Sequence, residues 1–564
     1  MVSDNSREDD APEAGFVPAG SLVGQTLWSL GVRQAFGVVG SGNFVATAAL
    51  VSAGARYVAA RHEGGAVTMA ANYTRVSGEL AVCSVHQGPG LTNSLTGLVD
   101  AAKSRTPLVV IAGATSSGAT SSNFYIDQAG IVERAGAIAE QLYRPESVVV
   151  DTVRAVQRAL SEHRPVVLNM PLDVQAIMVQ QPASLPTRAD LPKDPRPASG
   201  EAARIAELLA KAKRPLILAG RGAMASHACE ALIQLGDAVG ALFANTAVAN
   251  GFFADSPWTL GISGGFASDQ SADIIAQADV VIGFGCSFTV WTTRSGRILN
   301  PDAVVVQVDT DPLAIAHNAR ADFGVIADAA EAARDVLSEL RQASVGQGWR
   351  TEHVAASIRE ARVHAPVPKN DGSDGFILPD VLSNALETML PAERTVVIDG
   401  GHFIGWPATC WSVPDPDGFV FTSSGFQAIG LGLAGAIGAK LARPERFTVL
   451  AAGDGGFLMS VSELETLGRL QLPILIVVYN DAAYSAEVHH FAGTGVPLDI
   501  VKFPDTDIAA IARAAGAHAV TVRCLADLKL IETWLENPVG PMLVDAKINP
   551  SLVGYWAGQD FQGH

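Results

Sequence analysis

Along this chain, short runs that are apolar at almost every position alternate with Ala-rich stretches of helical spacing. LAVCSV, PLVVIAG and PVVLNM come first, PLILAG, DVVIGFG and AVVVQVD next, and RTVVIDG, FTVLAAG and PILIVVYN last. A strand apolar on both faces is buried on both, as happens in a parallel sheet whose crossover helices cover it above and below. The pattern therefore predicts an α/β fold of doubly wound parallel sheets. Two stretches interrupt it, QQPASLPTRADLPKDPRPASG near 180–200 and VHAPVPKNDGSDG near 363–375, whose Pro, Gly and polar content cannot sustain a core. They divide the chain into three doubly wound parallel-sheet domains, expected at 17–182, 200–345 and 375–550, with a disordered acidic tail over 1–16 and a C-terminal tail over 551–564.

Composition adds exclusions. With 564 residues, 48% of them apolar, the chain can bury several cores. Its 57 acidic against 39 basic residues give a formal charge of −18, a field that repels phosphate backbones and anionic lipid, and no Lys/Arg cluster reverses it locally. Neither nucleic acid nor a membrane is an expected partner. The cysteines Cys83, Cys229, Cys286, Cys410 and Cys524 lie far apart with no CxxC pair, which fits a reducing cytoplasm and no zinc site. The opening MVSDNSREDDAPEAG has neither a basic nor an apolar leader segment, and no apolar run nears the roughly 18 residues of a membrane span. A cytoplasmic location is expected.

In doubly wound sheets, ligands sit beyond the carboxyl ends of the strands, so residues that directly follow the apolar runs are the informative ones. FTVLAA ends at Gly453-Asp454-Gly455-Gly456, where glycines let a ligand approach the backbone closely and meet its N–H groups. Ser460 and Glu463 have capping-box spacing, and Leu464, Leu467 and Leu470 give the following helix an apolar face. A helix start beside bare amides attracts phosphate, but Asp454 would repel a diphosphate unless a divalent cation lay between them. The helix returns to PILIVVYN and Asp481, so two carboxylates come from the tips of two strands in one sheet. With a loop carbonyl, diphosphate oxygens and a water they would complete an octahedral Mg²⁺ site.

The stretch from Gly453 to Asp481 resembles the GDG…NN signature of thiamine-diphosphate enzymes, with Asp481 in the place of the second Asn. The resemblance implies Asp454, Asp481 and the carbonyl of Ala483 as Mg²⁺ ligands, with Gly453, Gly455, Gly456 and Tyr484 also against the cofactor. ARYVAARHEGGAVTMAANYTRVSG is similar to the RHE-x-GA-x-x-A-x-x-YAR segment of acetolactate synthases and related decarboxylases. It implies that Glu63 is the acid at the pyrimidine N1′, which lets the 4′-amino group remove the proton from thiazolium C2. A carboxyl in a mostly apolar cleft suits that role, because desolvation favours its neutral form. SSGFQAIGLGLAGAIGAKLARPE resembles the segment that supports the bent cofactor, which implies Ile429 under the thiazolium and the Gln427 carbonyl as acceptor for the 4′-amino group.

The likeness covers about residues 20–550, including RPVVLNMPLDV and VVVQVDTDP, and points to the acetolactate synthase, benzoylformate decarboxylase and pyruvate decarboxylase superfamily. It implies a pyrimidine-binding domain, a central Rossmann-like domain and a diphosphate-binding domain. It also implies a homo-oligomer, a dimer at minimum and commonly a tetramer, in which the acid from one chain serves the cofactor of its partner. FAD, which some relatives hold in the middle domain, is not expected, since LGISGG and GFGCSF make no persuasive flavin segment.

His86, in AVCSVHQGPGLTNSLTGL, lines up with a histidine of benzoylformate decarboxylase, and it and Gln87 are candidate catalytic residues. Glu487 follows Asp481 at the spacing of a proton-handling acid in pyruvate decarboxylase and is a second candidate. Ser41, Gly42, Asn43 and His402, each just after a strand, are expected in the substrate pocket, with Tyr484, His489 and His490 at its entrance. The resemblance implies decarboxylation or cleavage of a small-molecule 2-keto acid, with carboligation of the acyl carbanion to an acceptor carbonyl. Simple decarboxylation releasing an aldehyde is the alternative, and a catalytically silent cofactor-binding homologue a third. Two rival motifs are weak. Gly261-Ile262-Ser263-Gly264-Gly265 fits the hydrolase GxSxG pattern but follows ADSPWTL, a poor strand, and Gly40 and Gly42 lack the third glycine of a dinucleotide loop, where Val45 stands.

Overall fold

The computed structural model describes residues 15–190, 194–341, 344–362, 375–422 and 424–558. Three parallel sheets of six strands carry the fold, and each of the apolar runs named above lies in one of them. The chain forms two compact units. One comprises Met1–Leu191 with Gly425–Ala428 and holds the first sheet; the other comprises Pro192–Ser424 with Ile429–His564 and holds the second and third.

In the first sheet the strands run Arg56–Ala59, Gln34–Gly37, Val82–Val85, Leu108–Ala114, Pro165–Pro171, Ile138–Gln141 from edge to edge. A short antiparallel pair, Phe16–Pro18 with Met178–Gln180, joins the two ends of this domain, so Phe16 lies in a strand, while residues 1–14 of the expected tail lie outside the described residues. The C-terminal sheet repeats the same order with Phe419–Phe421, Arg394–Ile398, Phe447–Gly453, Ile474–Asn480, Met542–Lys547 and His518–Val522. The central sheet differs. Its strands run Thr259–Ile262, Leu242–Asn245, Pro215–Ala219, Val280–Phe284, Val304–Asp309, Phe323–Ile326, with the direction of winding reversing once at its middle, the arrangement of dinucleotide-binding folds.

Inner strands such as Val109–Ile111, Leu216–Ile217 and Ile474–Val478 are fully buried, which explains their unbroken apolar sequence. The helix Glu352–Arg362 sends Ile358 into the core of the central domain, extending that domain past residue 345. The chain beyond 550, expected as a tail, is anchored through Trp556, which is 2% exposed and lies over Gly405, where a Cβ would sit 2.2 Å from its ring, while Val553 and Tyr555 stay exposed. Among the described residues no helix is long and apolar enough to cross a membrane.

Candidate active site

In the C-terminal sheet the strand order reverses between Arg394–Ile398 and Phe447–Gly453, and the loops leaving their carboxyl ends diverge there. The resulting cleft, about 610 Å³ including its open part, is lined by Gly400 to Phe403, Gly453 to Gly456, Ile429, Asp481 and Ala483 to Glu487. Asp454 opens the helix Asp454–Met459 directly at the strand end, so the N–H groups of its first turn have no acceptor within the helix. The expected capping box does not form. Ser460 instead closes this short helix and donates back to the carbonyls of Gly456 and Phe457, and a second helix, Glu463–Leu470, begins after a break. Glu463 is buried and accepts the Thr466 hydroxyl at 2.7 Å.

The two carboxyls predicted as ligands behave as a pair. Desolvation, and then the charge of Asp481, push Asp454 up to about 7; desolvation pushes Asp481 up to about 6 although the Ser485 hydroxyl donates to it. Two acids that resist ionising together in a dry site are ready to accept a divalent cation, which removes both penalties at once. Among the described residues no three His, Cys, Asp or Glu side chains converge into a self-sufficient metal cage. Such a cation would take its remaining ligands from backbone, anion or water. In the turn after Asp481, Ala482 has φ +56°, and the turn is anchored by an N–H···O bond from Phe503 to Ala482 and one from Tyr484 to Val501, with Ala483 between them in the cleft wall.

Ile429 is 45% exposed in the cleft wall, where a bare apolar side chain can support a flat ring. It is held from below by Asp399, a residue the sequence reading missed. This carboxylate is fully buried, pushed up to about 6 by desolvation, and accepts the N–H groups of Gly400, Gly430 and Leu431. A Cβ on Gly456 would stand 2.7 Å from Asp399 Oδ2 and 3.0 Å from Ile429 Cγ2, so glycine is required there for the helix to approach. Met459, 56% exposed, also faces the cleft and was not anticipated.

His402 lines the same cleft, pushed down to about 4 by burial and by neighbouring His489, whose ring centroid is 4.5 Å away. It is therefore a neutral imidazole at neutral pH. Trp556 Nε1 donates to its carbonyl at 2.9 Å. Glu487 and Tyr484 are exposed at the mouth, whereas His490 is turned to solvent against Phe491.

In the N-terminal unit the corresponding reversal lies between Gln34–Gly37 and Val82–Val85, and the loops 38–43 and 86–90 leave from it. His86 Nε2 is 3.4 Å from Ser41 Oγ, and Nδ1 is 3.2 Å from the Gln87 carbonyl; Phe124 lies over the ring at 5.2 Å. A Cβ on Gly40 would strike His86 at 2.0 Å and one on Gly42 would strike Gln87 Oε1 at 1.7 Å, so this loop closes over both side chains only because it is glycine. Gln87 Oε1 is buried without a partner. Asn43, expected in the pocket, is instead fully buried and structural: it accepts the Gly40 N–H and donates to Val38 and Ser84. Glu63 starts the helix Glu63–Ser77, half-buried, and accepts from Asn93 Nδ2 at 3.0 Å. Gln427 adopts φ +59° in the Gly425–Ala428 segment, which Asp100 holds through the N–H groups of Gly425 and Phe426.

The rival serine motif has no chemistry. An edge strand, Thr259–Ile262, does lead into Ser263, contrary to the sequence reading, but the serine is 4% exposed and donates to the Thr292 carbonyl at 2.9 Å.

Comparison with known proteins agrees along the chain. The thiamine pyrophosphate enzyme models match in all three parts: the N-terminal TPP binding domain over residues 19–132, the central domain over 202–339 and the C-terminal TPP binding domain over 399–546. A probable acetolactate synthase large subunit of Methanocaldococcus jannaschii is 28% identical, the match covering 93% of this chain and 91% of that protein. A sulfoacetaldehyde acetyltransferase of Rhodobacter capsulatus is 28% identical over 93% and 92%, and a probable 2-ketoarginine decarboxylase of Pseudomonas aeruginosa 30% identical over 93% and 92%.

Proposed function

From the premise that this chain belongs to the thiamine-pyrophosphate-dependent enzymes, we propose that it decarboxylates or cleaves a 2-keto acid and joins the acyl fragment to an acceptor carbonyl, using thiamine diphosphate and Mg²⁺. The observation that carries the proposal is the desolvated pair Asp454 and Asp481 at neighbouring strand tips, framing a cleft whose wall is the exposed Ile429. These residues fit the cofactor. Asp454, Asp481 and the Ala483 carbonyl would hold the cation, and the first-turn N–H groups after Gly453 would meet the diphosphate. When bound, thiamine diphosphate supplies a nucleophilic ring carbon that attacks the keto carbonyl.

The protein's own groups do the rest. Ile429 would support the thiazolium and the Gln427 carbonyl would accept from the exocyclic amine, and in the homo-oligomer Glu63 from one chain would hold a proton against the pyrimidine bound by its partner. His402, neutral at working pH and with Nε2 accepting the Gly554 N–H, would line the pocket without adding charge, and Glu487 and His86, the latter assisted by Gln87, would be the proton carriers. The second reading is simple decarboxylation with release of an aldehyde: if the oligomer brings His86, which lies beside Ser41, to the reacting carbon, its proton would quench that carbon before an acceptor adds. We propose a homo-oligomer, a dimer or tetramer, as the working assembly, to be checked by sedimentation.

Purified protein supplied with thiamine diphosphate and Mg²⁺ should consume 2-keto acids such as pyruvate or benzoylformate, and product analysis with and without added aldehydes separates ligation from simple decarboxylation. Cofactor uptake without turnover on any 2-keto acid would favour a silent scaffold. No uptake at all would end the proposal.

A further inference from the structure

The strand Met542–Lys547 carries two charged side chains that the motifs above do not explain. Both are inside the fold: Asp545 is fully buried and Lys547 is 4% exposed. In the parallel register Lys547 sits beside Asn480 and Asp545 beside Val478, on the strand that leads into Asp481. Asn480 Nδ2 donates to Asp545 Oδ1 at 2.8 Å, and Asn480 Oδ1 accepts the N–H of Ala482 at 3.2 Å. Lys547 Nζ lies 3.0 Å from Asp545 Oδ2 and also reaches the Asp505 carboxylate and, at 2.9 Å, the Thr506 carbonyl. One continuous line of contacts therefore runs from a buried ion pair to the strained turn that carries Ala483.

Each member has a physical reason to be what it is. Asn480 must accept from Ala482, which fixes its amide so that the NH₂ points towards strand Met542–Lys547 and needs an acceptor there. An apolar residue at 545 would leave that NH₂ buried and unpaired. A carboxylate satisfies it, but alone it would add a third acid near Asp454 and Asp481, and the Lys547 ammonium cancels that charge.

We propose that Asp545 and Lys547 are positioning residues for the divalent cation: they orient Asn480, which shapes the turn that presents the Ala483 carbonyl. The proposal rests on the cation site described under the proposed function. Binding of Mn²⁺ to the full-length protein, followed by the loss of the free-ion paramagnetic signal in saturating thiamine diphosphate, tests it. Asn480→Ala and Asp545→Leu should weaken Mn²⁺ binding by about 10- to 100-fold, the range typical of groups that orient metal ligands. Asp545→Asn, which keeps an oxygen for Asn480 but sets an NH₂ against Lys547, should lose less than Asp545→Leu and stay within about tenfold of the parent protein. Half-saturation by Mg²⁺ should rise in parallel while the rate at saturating Mg²⁺ recovers, a split that a general loss of packing would not produce. If Asp545→Leu does not fold, Asn480→Ala carries the test. An Asn480→Ala protein that melts like the parent and binds Mn²⁺ equally well overturns the proposal alone. A parent protein that takes up no Mn²⁺ removes the cation site itself.

Discussion

The central and C-terminal sheets are both doubly wound, yet they treat the point where their winding reverses in opposite ways. In the central sheet the tips of Pro215–Ala219 and Val280–Phe284 are drawn together: the Gly220 N–H bonds to the Phe284 carbonyl and the Gly222 N–H to Gly285, each at 3.0 Å. A Cβ on Gly220 would lie 2.2 Å from Gly285 O, and Gly285 itself has φ +54°. Backbone fills the space between those two tips. In the C-terminal sheet the loops after Ile398 and Gly453 diverge, and the gap is edged with Asp454, Asp481, His402 and Ile429. The comparison teaches that glycine at a strand tip has two meanings, close packing of two loops or close approach of a ligand, and that acids beside it tell them apart.

Substitutions can break or sharpen this contrast. The largest effect is expected at the open end of the N-terminal sheet, where Glu63→Gln should lower turnover by about 10²–10⁴-fold, the usual contribution of a proton-transfer group, with cofactor still bound. Turnover and calorimetric binding measured together check it. Asp454→Ala should cost at least about 100-fold in Mg²⁺ affinity, beyond what orienting groups give. Gly285→Ala should act on the fold instead, lowering stability by about 1–3 kcal/mol through left-handed strain and crowding, seen as a lower melting temperature. If Gly285→Ala reduces cofactor affinity as much as Asp454→Ala does, the contrast between the two sheets is wrong. The smallest effect belongs to Ser263→Ala, which should leave turnover unchanged and cost about 0.5–1.5 kcal/mol for one lost hydrogen bond.

What could be read from the chain follows burial. Strands closed on both faces, such as Leu108–Ala114 and Ile474–Asn480, announce themselves by unbroken apolar sequence. Edge strands such as Arg56–Ala59, Phe323–Ile326 and His518–Val522 are partly exposed and carry no such signal. Met542–Lys547 is buried throughout but escaped the pattern, because Asp545 and Lys547 neutralise each other where an apolar pair would be expected. The acids flanked by glycine were legible because few other arrangements need them there. Asp399 was not, because a carboxylate that works by accepting backbone N–H groups has no fixed spacing to those groups; nor was Asn43, whose role became visible only with the partners it bonds. The capping box failed for a related reason: the spacing of Ser460 and Glu463 was right, but the chain breaks between two helices at that place.

Ala482 has a further consequence. An alanine held at φ +56° forgoes about 1–2 kcal/mol that a glycine would keep. A routine effort to raise thermal tolerance would choose Ala482→Gly early, and the protein would gain heat resistance while the segment around it sampled more shapes between turnovers. Durability and readiness are set against each other at this single residue, which makes it a convenient dial for engineering one at the expense of the other.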